Sequence, residues 1–138
     1  MSKINYQNLP NTTTPLIASN LNLMQEISEA GSNANGNYIK YEDGILIQWN
    51  DMEVDDQAID NPYGSLYQGT RIITLPVDFK DNHYSAVCTQ FLWGTSASWG
   101  SVVQRNNKSS FSIRGFDLFS RPSGTRTNIS WFAIGKWK

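Results

Sequence analysis

Among 138 residues there is one cysteine, Cys88, and one histidine, His83. A lone cysteine excludes an intrachain disulfide framework, and so little thiol and imidazole leaves few groups for nucleophilic or acid–base chemistry. Cys88 alternates with Ala86 and Gln90 in a strand-like stretch, which fits a packed and unreactive thiol. His83 lies in a polar stretch and reads as a surface loop residue. Charge is sparse too: 17% of residues are charged, against about 25% in ordinary soluble domains. Polarity rests instead on Asn, Ser, Thr, Gln and Gly, a composition that suits turns and β-structure. No stretch approaches the roughly 20 apolar residues of a membrane span. Met1 to Pro10 is polar rather than the apolar run of a signal peptide. The expectation is a soluble chain that is not Sec-exported and does not insert into a membrane.

What charge there is divides unevenly. Residues 1–60 carry two basic and nine acidic side chains, and residues 61–138 carry nine basic and three acidic. Such halves can complement each other within a fold or between protomers, or can form a basic face for an anionic partner. Aromatic residues make up 12%, with five Trp; large rings serve both sandwich cores and sugar-stacking platforms. Nucleic acid is not an expected partner, because the net charge is -1 and no RNA- or DNA-binding motif is present.

One ordinary domain fits the length. Residues 1–16, rich in Asn, Thr and Pro, show neither helical nor strand periodicity and read as an extended attachment arm. Over 17–31, Ser19 or Asn20 can cap, Leu21, Met24 and Ile27 recur every three residues, and Gly31 follows as a stop. This predicts one short helix, packed on its own domain or bundled with sister chains. Residues 32–138 read as a β-sandwich. After a loop over Ser32 to Asn37, Tyr38 to Tyr41 and Ile45 to Trp49 flank Glu42-Asp43-Gly44, a hairpin signal. An acidic loop is expected over Asn50 to Asn61. Further strands are expected at Thr70 to Leu75, Tyr84 to Trp93, Ser101 to Arg105, Ser110 to Phe116 and Asn128 to Trp137, with a turn at Asn106-Asn107-Lys108. The fold class is all-β, an antiparallel sandwich of about six strands preceded by the helix.

Three stretches resemble phage and prophage tail-fibre C-terminal domains. Asn35-Gly36-Asn37-Tyr38-Ile39-Lys40-Tyr41-Glu42-Asp43-Gly44, running on to Trp49, is similar to their opening hairpin. Ser130-Trp131-Phe132-Ala133-Ile134-Gly135-Lys136-Trp137-Lys138 is similar to their closing strand, and Thr14-Pro15-Leu16-Ile17-Ala18-Ser19-Asn20-Leu21-Asn22 resembles a segment that precedes them. The resemblance implies a sandwich like that of H-type lectins, assembled as a homotrimer at the tip of a tail organelle that docks on bacterial surface carbohydrate. It places the protein in a virion or phage-like particle, made in the cytoplasm of the bacterial host, with residues 1–16 as the arm that joins other tail or baseplate proteins. It implies no sugar-contacting residue, because the lectin's contacts fall in loops without a matching motif here.

The residues offer binding rather than catalysis, and no cofactor or metal is expected. Asp51, Glu53, Asp55, Asp56 and Asp60 could supply a glycosidase pair or a calcium site, but the run lacks the glycine of an EF-hand loop, and a solvated loop or one facing basic residues is the plainer reading. The candidate site is the stretch from Trp93 to Arg121, where aromatic and basic residues interleave. Trp93, Trp99, Arg105, Arg114, Phe116 and Asp117 are the candidate carbohydrate contacts: rings stack on sugar faces, while arginine forks and a carboxylate orient hydroxyls or phosphates. Trp93 and Trp99 bracket a small-residue loop, a poor core element and a reasonable ligand-facing one. Strand alternation offers a competing account in which Phe111 and Ile113 face the core while Ser110, Ser112 and Arg114 merely solvate the outer face. Trp49, Trp131 and Trp137 are assigned to packing. The expected ligand is a cell-wall or capsule glycan, with teichoic acid as an anionic example; the alternative is a structural baseplate or fibre-cap protein that never meets a receptor.

Overall fold

The computed structural model describes residues 26–92, 98–124 and 126–138. Among them nine strands run in chain order: β1 (Ile27–Asn33), β2 (Gly36–Tyr41), β3 (Ile45–Val54), β4 (Asn61–Tyr63), β5 (Leu66–Thr74), β6 (Ser85–Leu92), β7 (Trp99–Asn107), β8 (Ser110–Asp117) and β9 (Thr127–Lys136). They form a five-stranded sheet of order β1-β2-β3-β9-β6 and a four-stranded sheet of order β4-β5-β8-β7. Every pairing within the sheets is antiparallel. The all-β sandwich expected from the sequence is therefore present, with more strands than expected.

Alternation builds the core. Along β8, Phe111 and Ile113 turn inward while Ser112 and Arg114 turn outward. Leu46 of β3 and Ile129, Trp131 and Ala133 of β9 face them from the other sheet, all buried. Trp131 meets Phe111 edge-on, with centroids 5.6 Å apart at 76°. Phe79 and Tyr84 stack at 4.4 Å. Gln48, fully buried between Leu46 and its strand neighbours, accepts a hydrogen bond from the Val77 amide at 3.0 Å, which fastens the β5–β6 connection to β3.

The Glu42-Asp43-Gly44 turn forms as the sequence predicts. The Gly44 amide donates to the Tyr41 carbonyl at 3.0 Å, and Asp43 accepts from the Ile45 amide at 3.0 Å. Gly44 has φ of 94°, which a side chain resists. Gly44→Ala is expected to cost about 1 kcal/mol, read as a lower urea midpoint with unchanged slope. A second glycine works by closeness: a Cβ at Gly69 of β5 would collide with the Ala58 carbonyl. The segment before β4 thus lies directly on β5, where the Ile59 and Arg121 backbones bridge at 2.8 and 2.9 Å.

Four expectations need correction. Residues 1–25, with the arm and most of the expected helix, lie outside the described residues, but the end of that helix, Ile27 to Ala30, is strand β1 and continues to Asn33. Its Ser, Gly and Asn content gives weak helix propensity, and pairing with β2 decides the matter. The loop expected over Ser32 to Asn37 is accordingly a hairpin turn, tied where Asn33 accepts from the Asn35 amide at 2.9 Å. Asn50 to Val54, expected to open the acidic loop, extend β3 along β9 as far as the pair Val54 with Thr127. The turn between β7 and β8 falls at Lys108-Ser109, shifted from the expected Asn106-Asn107-Lys108, because Asn106 and Asn107 belong to β7.

Candidate functional site

The two outer faces of the sandwich differ in chemistry. On the four-stranded sheet, β7 and β8 pair Trp99 with Phe116, and Phe116 pairs in turn with Gln68 of β5. Short strand β4 adds Tyr63 at the edge. Tyr63 and Phe116 lie 5.6 Å apart between centroids, and Phe116 and Trp99 lie 6.0 Å apart at 26°. Tyr63 and Trp99 are exposed. The result is a row of three rings on a solvent-facing surface, bordered by the polar side chains of Gln68, Thr70 and Ser101.

Arg114 lies on this platform with its guanidinium carbon 5.9 Å from the Tyr63 centroid. Several other basic groups are paired. Arg71 pairs with Asp56 at 3.2 Å, Arg126 with Asp55 at 2.8 Å, Lys108 with Asp78 at 3.0 Å and Lys138 with Glu42 at 3.7 Å. Three of these pairs, those of Arg71, Arg126 and Lys138, join the acidic first half to the basic second half within one chain, and Asp55 and Asp56 of the acidic run are among the partners. Among the described residues Arg114 makes no ion pair and no hydrogen bond, and its Nε is buried without a partner. A cation resting on a ring with free donors is suited to an anionic or hydroxyl-rich ligand.

Asp117 plays a different part from the one expected of it. Facing the opposite side of β8 from Phe116, its side chain is 1% exposed. It accepts from the Ser98 hydroxyl at 2.6 Å, the Phe119 amide at 2.8 Å and Arg121 Nε at 3.1 Å. Burial alone would raise its carboxyl, but these three donors together hold it below the ordinary value. Asp117 therefore anchors the residue just before Trp99 and the turn after β8, and positions the platform from beneath.

Of the other candidates, Trp93 lies outside the described residues. Arg105 is exposed but belongs elsewhere: its Nη1 donates to the Tyr84 carbonyl at 2.8 Å. It lines a cleft of about 330 Å³ between the facing edges of β6 and β7, with Tyr84, Ser85, Ala86 and Val102 to Gln104. The structure so brings together Trp99, Arg114 and Phe116, and separates Arg105 and Asp117 from them. Sequence reasoning missed Tyr63; Pro62 beside it is a mark of edge strands, but nothing local says which strand that edge would join.

Cys88 is half-buried, and burial pushes its thiol up to about 11, which keeps it protonated at neutral pH. His83 is exposed at a turn, 3.3 Å from Asp81. Among the described residues no three His, Cys, Asp or Glu side chains converge as metal ligands would, and no helix is long and apolar enough to cross a membrane.

Residues 40–136 match the family described as "Putative tail fiber protein gp53-like, C-terminal". The chain belongs to this family. Two solved structures share the tail-fibre fold. One is the C-terminal part of the P. aeruginosa R1 pyocin fiber, 22% identical with a TM-score of 0.55, covering 91% of this chain and 32% of that one. The other is an N-truncated R1-type pyocin tail fiber, 21% identical with a TM-score of 0.51, covering 90% of this chain and 99% of that one. This tail-fibre domain thus spans about a third of the longer of the two. No curated protein matches it.

Proposed function

We propose that this tail-fibre domain is a receptor-binding tip, holding a bacterial cell-surface saccharide on the outer face of its four-stranded sheet. The observation that carries the reading is the row of Tyr63, Phe116 and Trp99 with the uncommitted Arg114 beside it. Rings offer apolar faces to the C–H faces of sugars, and the guanidinium offers a fork to a carboxylate or phosphate along the polymer. Wall and capsule glycans are the ligand class, and teichoic acid is an anionic member of it. The domain works as a lectin-like module, by binding alone and without covalent chemistry or a cofactor. As a homotrimer in a virion or phage-like particle, it would present several weak sites to one surface, and effective concentration would multiply their affinities.

The test is binding of the purified protein to isolated wall and capsule polysaccharides, read by surface biosensor. Trp99→Ala and Arg114→Ala are each expected to weaken binding about tenfold or more while leaving thermal unfolding nearly unchanged. Arg114→Ala should in addition flatten the salt dependence for an anionic polymer. Full binding by both variants would rule out the platform, and no binding by the parent protein to any wall or capsule polymer would rule out the receptor role.

A further inference from the structure

Alternation along β3 turns Leu46, Gln48, Asn50 and Met52 inward and sends Trp49 outward. Trp49, assigned to packing from sequence, is therefore not in the core and is 37% exposed. Leu46 and Gln48 are covered completely, but Asn50 and Met52 are only half-buried. They face a pocket of about 160 Å³ between the sheets, walled as well by Trp131 of β9, Arg71 and Ile73 of β5, and Asn35 of the β1–β2 turn.

The pocket lies where β4 has run out. β4 pairs only with Leu66 to Gln68, so beyond Gln68 that edge of β5 has no strand partner among the described residues. The β1–β2 turn is fastened beside it by side-chain amides. Asn33 Nδ2 donates to the Pro76 carbonyl at 2.8 Å, Asn35 Nδ2 reaches the Leu75 carbonyl at 3.5 Å, and Asn50 Nδ2 donates to the Asn35 carbonyl at 3.2 Å. A turn tied in this way makes a fixed wall. Ile73 is roughly 15 Å along β5 from Gln68, the neighbour of Phe116 in the ring row, so the pocket is apart from the platform.

The walls carry the chemistry of a ligand site. Trp131 is 3% exposed, and its Nε1 is buried without an acceptor among the described residues. An unmet buried N–H is costly, and a ligand oxygen would relieve that cost. Arg71 engages Asp56 through Nη1 at 3.2 Å, and its fork carries further donors. Because that pair cancels its own charge, the pocket favours neither an anion nor a cation. Asn35 brings a carboxamide that both donates and accepts, while Met52 and Ile73 bring apolar surface. Donors, an acceptor and apolar walls around room for several waters match one uncharged sugar ring, which presents hydroxyls at its rim and C–H groups on its faces.

We propose that this pocket binds a single uncharged sugar residue, with the Trp131 N–H and the Arg71 fork donating to its oxygens. The ligand class follows from the walls of the pocket and takes nothing from the aromatic platform, so the two sites stand or fall separately.

The experiment is titration of the 15N-labelled full chain with glucose, galactose, rhamnose, N-acetylglucosamine and glucuronic acid, followed by the indole N–H signals of its five Trp. Trp131→Phe and Trp99→Ala each remove one signal and so identify the reporters of the pocket and the platform. At least one neutral sugar is expected to move the Trp131 signal saturably, with a Kd on the order of millimolar for so small a ligand. Arg71→Met, shown to be folded by far-UV circular dichroism, should weaken that titration about tenfold or more. Trp131→Phe should weaken binding of the same sugar, read on the sugar by saturation transfer, and keeps the test open if Arg71→Met fails to fold.

A Trp131 signal that no neutral sugar moves would overturn the proposal and leave the pocket to water. An unchanged titration in folded Arg71→Met would overturn it equally, and glucuronic acid binding more tightly than glucose would overturn the uncharged class. A sugar that moves the Trp131 signal and not the Trp99 signal supports the pocket and counts against the platform. Sugars that move only the Trp99 signal support the platform and count against the pocket.

Discussion

Trp131→Ala should lower the free energy of unfolding by about 3–5 kcal/mol. The indole is buried between the sheets, edge-on to Phe111 and flanked on β9 by Ile129 and Ala133. Removing it leaves a hole that two hydrogen-bonded sheets cannot collapse to fill. One feature lessens its worth in place: Nε1 is buried without a hydrogen-bond partner among the described residues, and an unmet buried N–H is costly. Trp131→Phe removes that N–H while keeping a ring against Phe111, so it should cost much less than alanine, about 1–2 kcal/mol, as a smaller core truncation. Urea unfolding followed by far-UV circular dichroism separates the two, because fluorescence would mix the signals of five Trp. A loss below about 1 kcal/mol for Trp131→Ala would mean that the sheets close over the gap.

The same residue shows what could be read from the chain alone. Trp131 sits in the part of β9 that alternates, from Ile129 to Ile134, and its assignment to packing holds. Trp137 is half-buried, with its indole N–H donating to the Tyr41 carbonyl at 3.0 Å and Lys40 and Lys138 over its ring. Trp49 shares the strand context of both and faces outward. Alternation says that neighbours point to opposite faces, but which face is inside depends on the partner sheet, and that is settled by pairings far apart in sequence. The Asp-Gly hairpin was legible because its signal is confined to four residues. Strand β1 was not, because a spacing of three among Leu21, Met24 and Ile27 looks helical, whereas the ladder to β2 that makes Ile27–Asn33 a strand is a tertiary fact.

The candidate site divides in the same way. Trp99, Phe116 and Arg114 were legible as residue types suited to saccharide, and β7–β8 pairing brings them to one surface. Tyr63 joins them only because β4 adds to the edge of β5, two strands away from Trp99's partner β8. Asp117 has the right chemistry for a hydroxyl ligand, but it lies one residue after Phe116, and a step of one along a strand exchanges solvent for core. What reads as one cluster along the chain becomes, in the sandwich, a platform and the anchor beneath it.

Asp117→Ala is expected to cost about 3–5 kcal/mol, the loss on breaking a buried pair by removing one partner. The change leaves the Ser98 hydroxyl, the Phe119 amide and the Arg121 guanidinium without their common acceptor. Arg121 Nη2 is already buried without a partner, so the site has no spare acceptor to offer. The pH dependence identifies the ionised carboxylate as the source. Three donors hold the folded carboxyl below its ordinary value despite burial, so its stabilisation is complete well above the unfolded value of about 3.9 and is lost as pH falls through the lower folded value. The stability gap between the parent and Asp117→Asn should therefore stay constant from neutral pH down to about pH 5 and narrow below about pH 4. A gap that does not narrow in acid would mean that shape rather than charge holds the anchor. Because Ser98 immediately precedes Trp99, the same variant should also weaken saccharide binding at temperatures where it remains folded. Binding at parental strength by a folded Asp117→Asn protein would show that Trp99 keeps its place without the anchor.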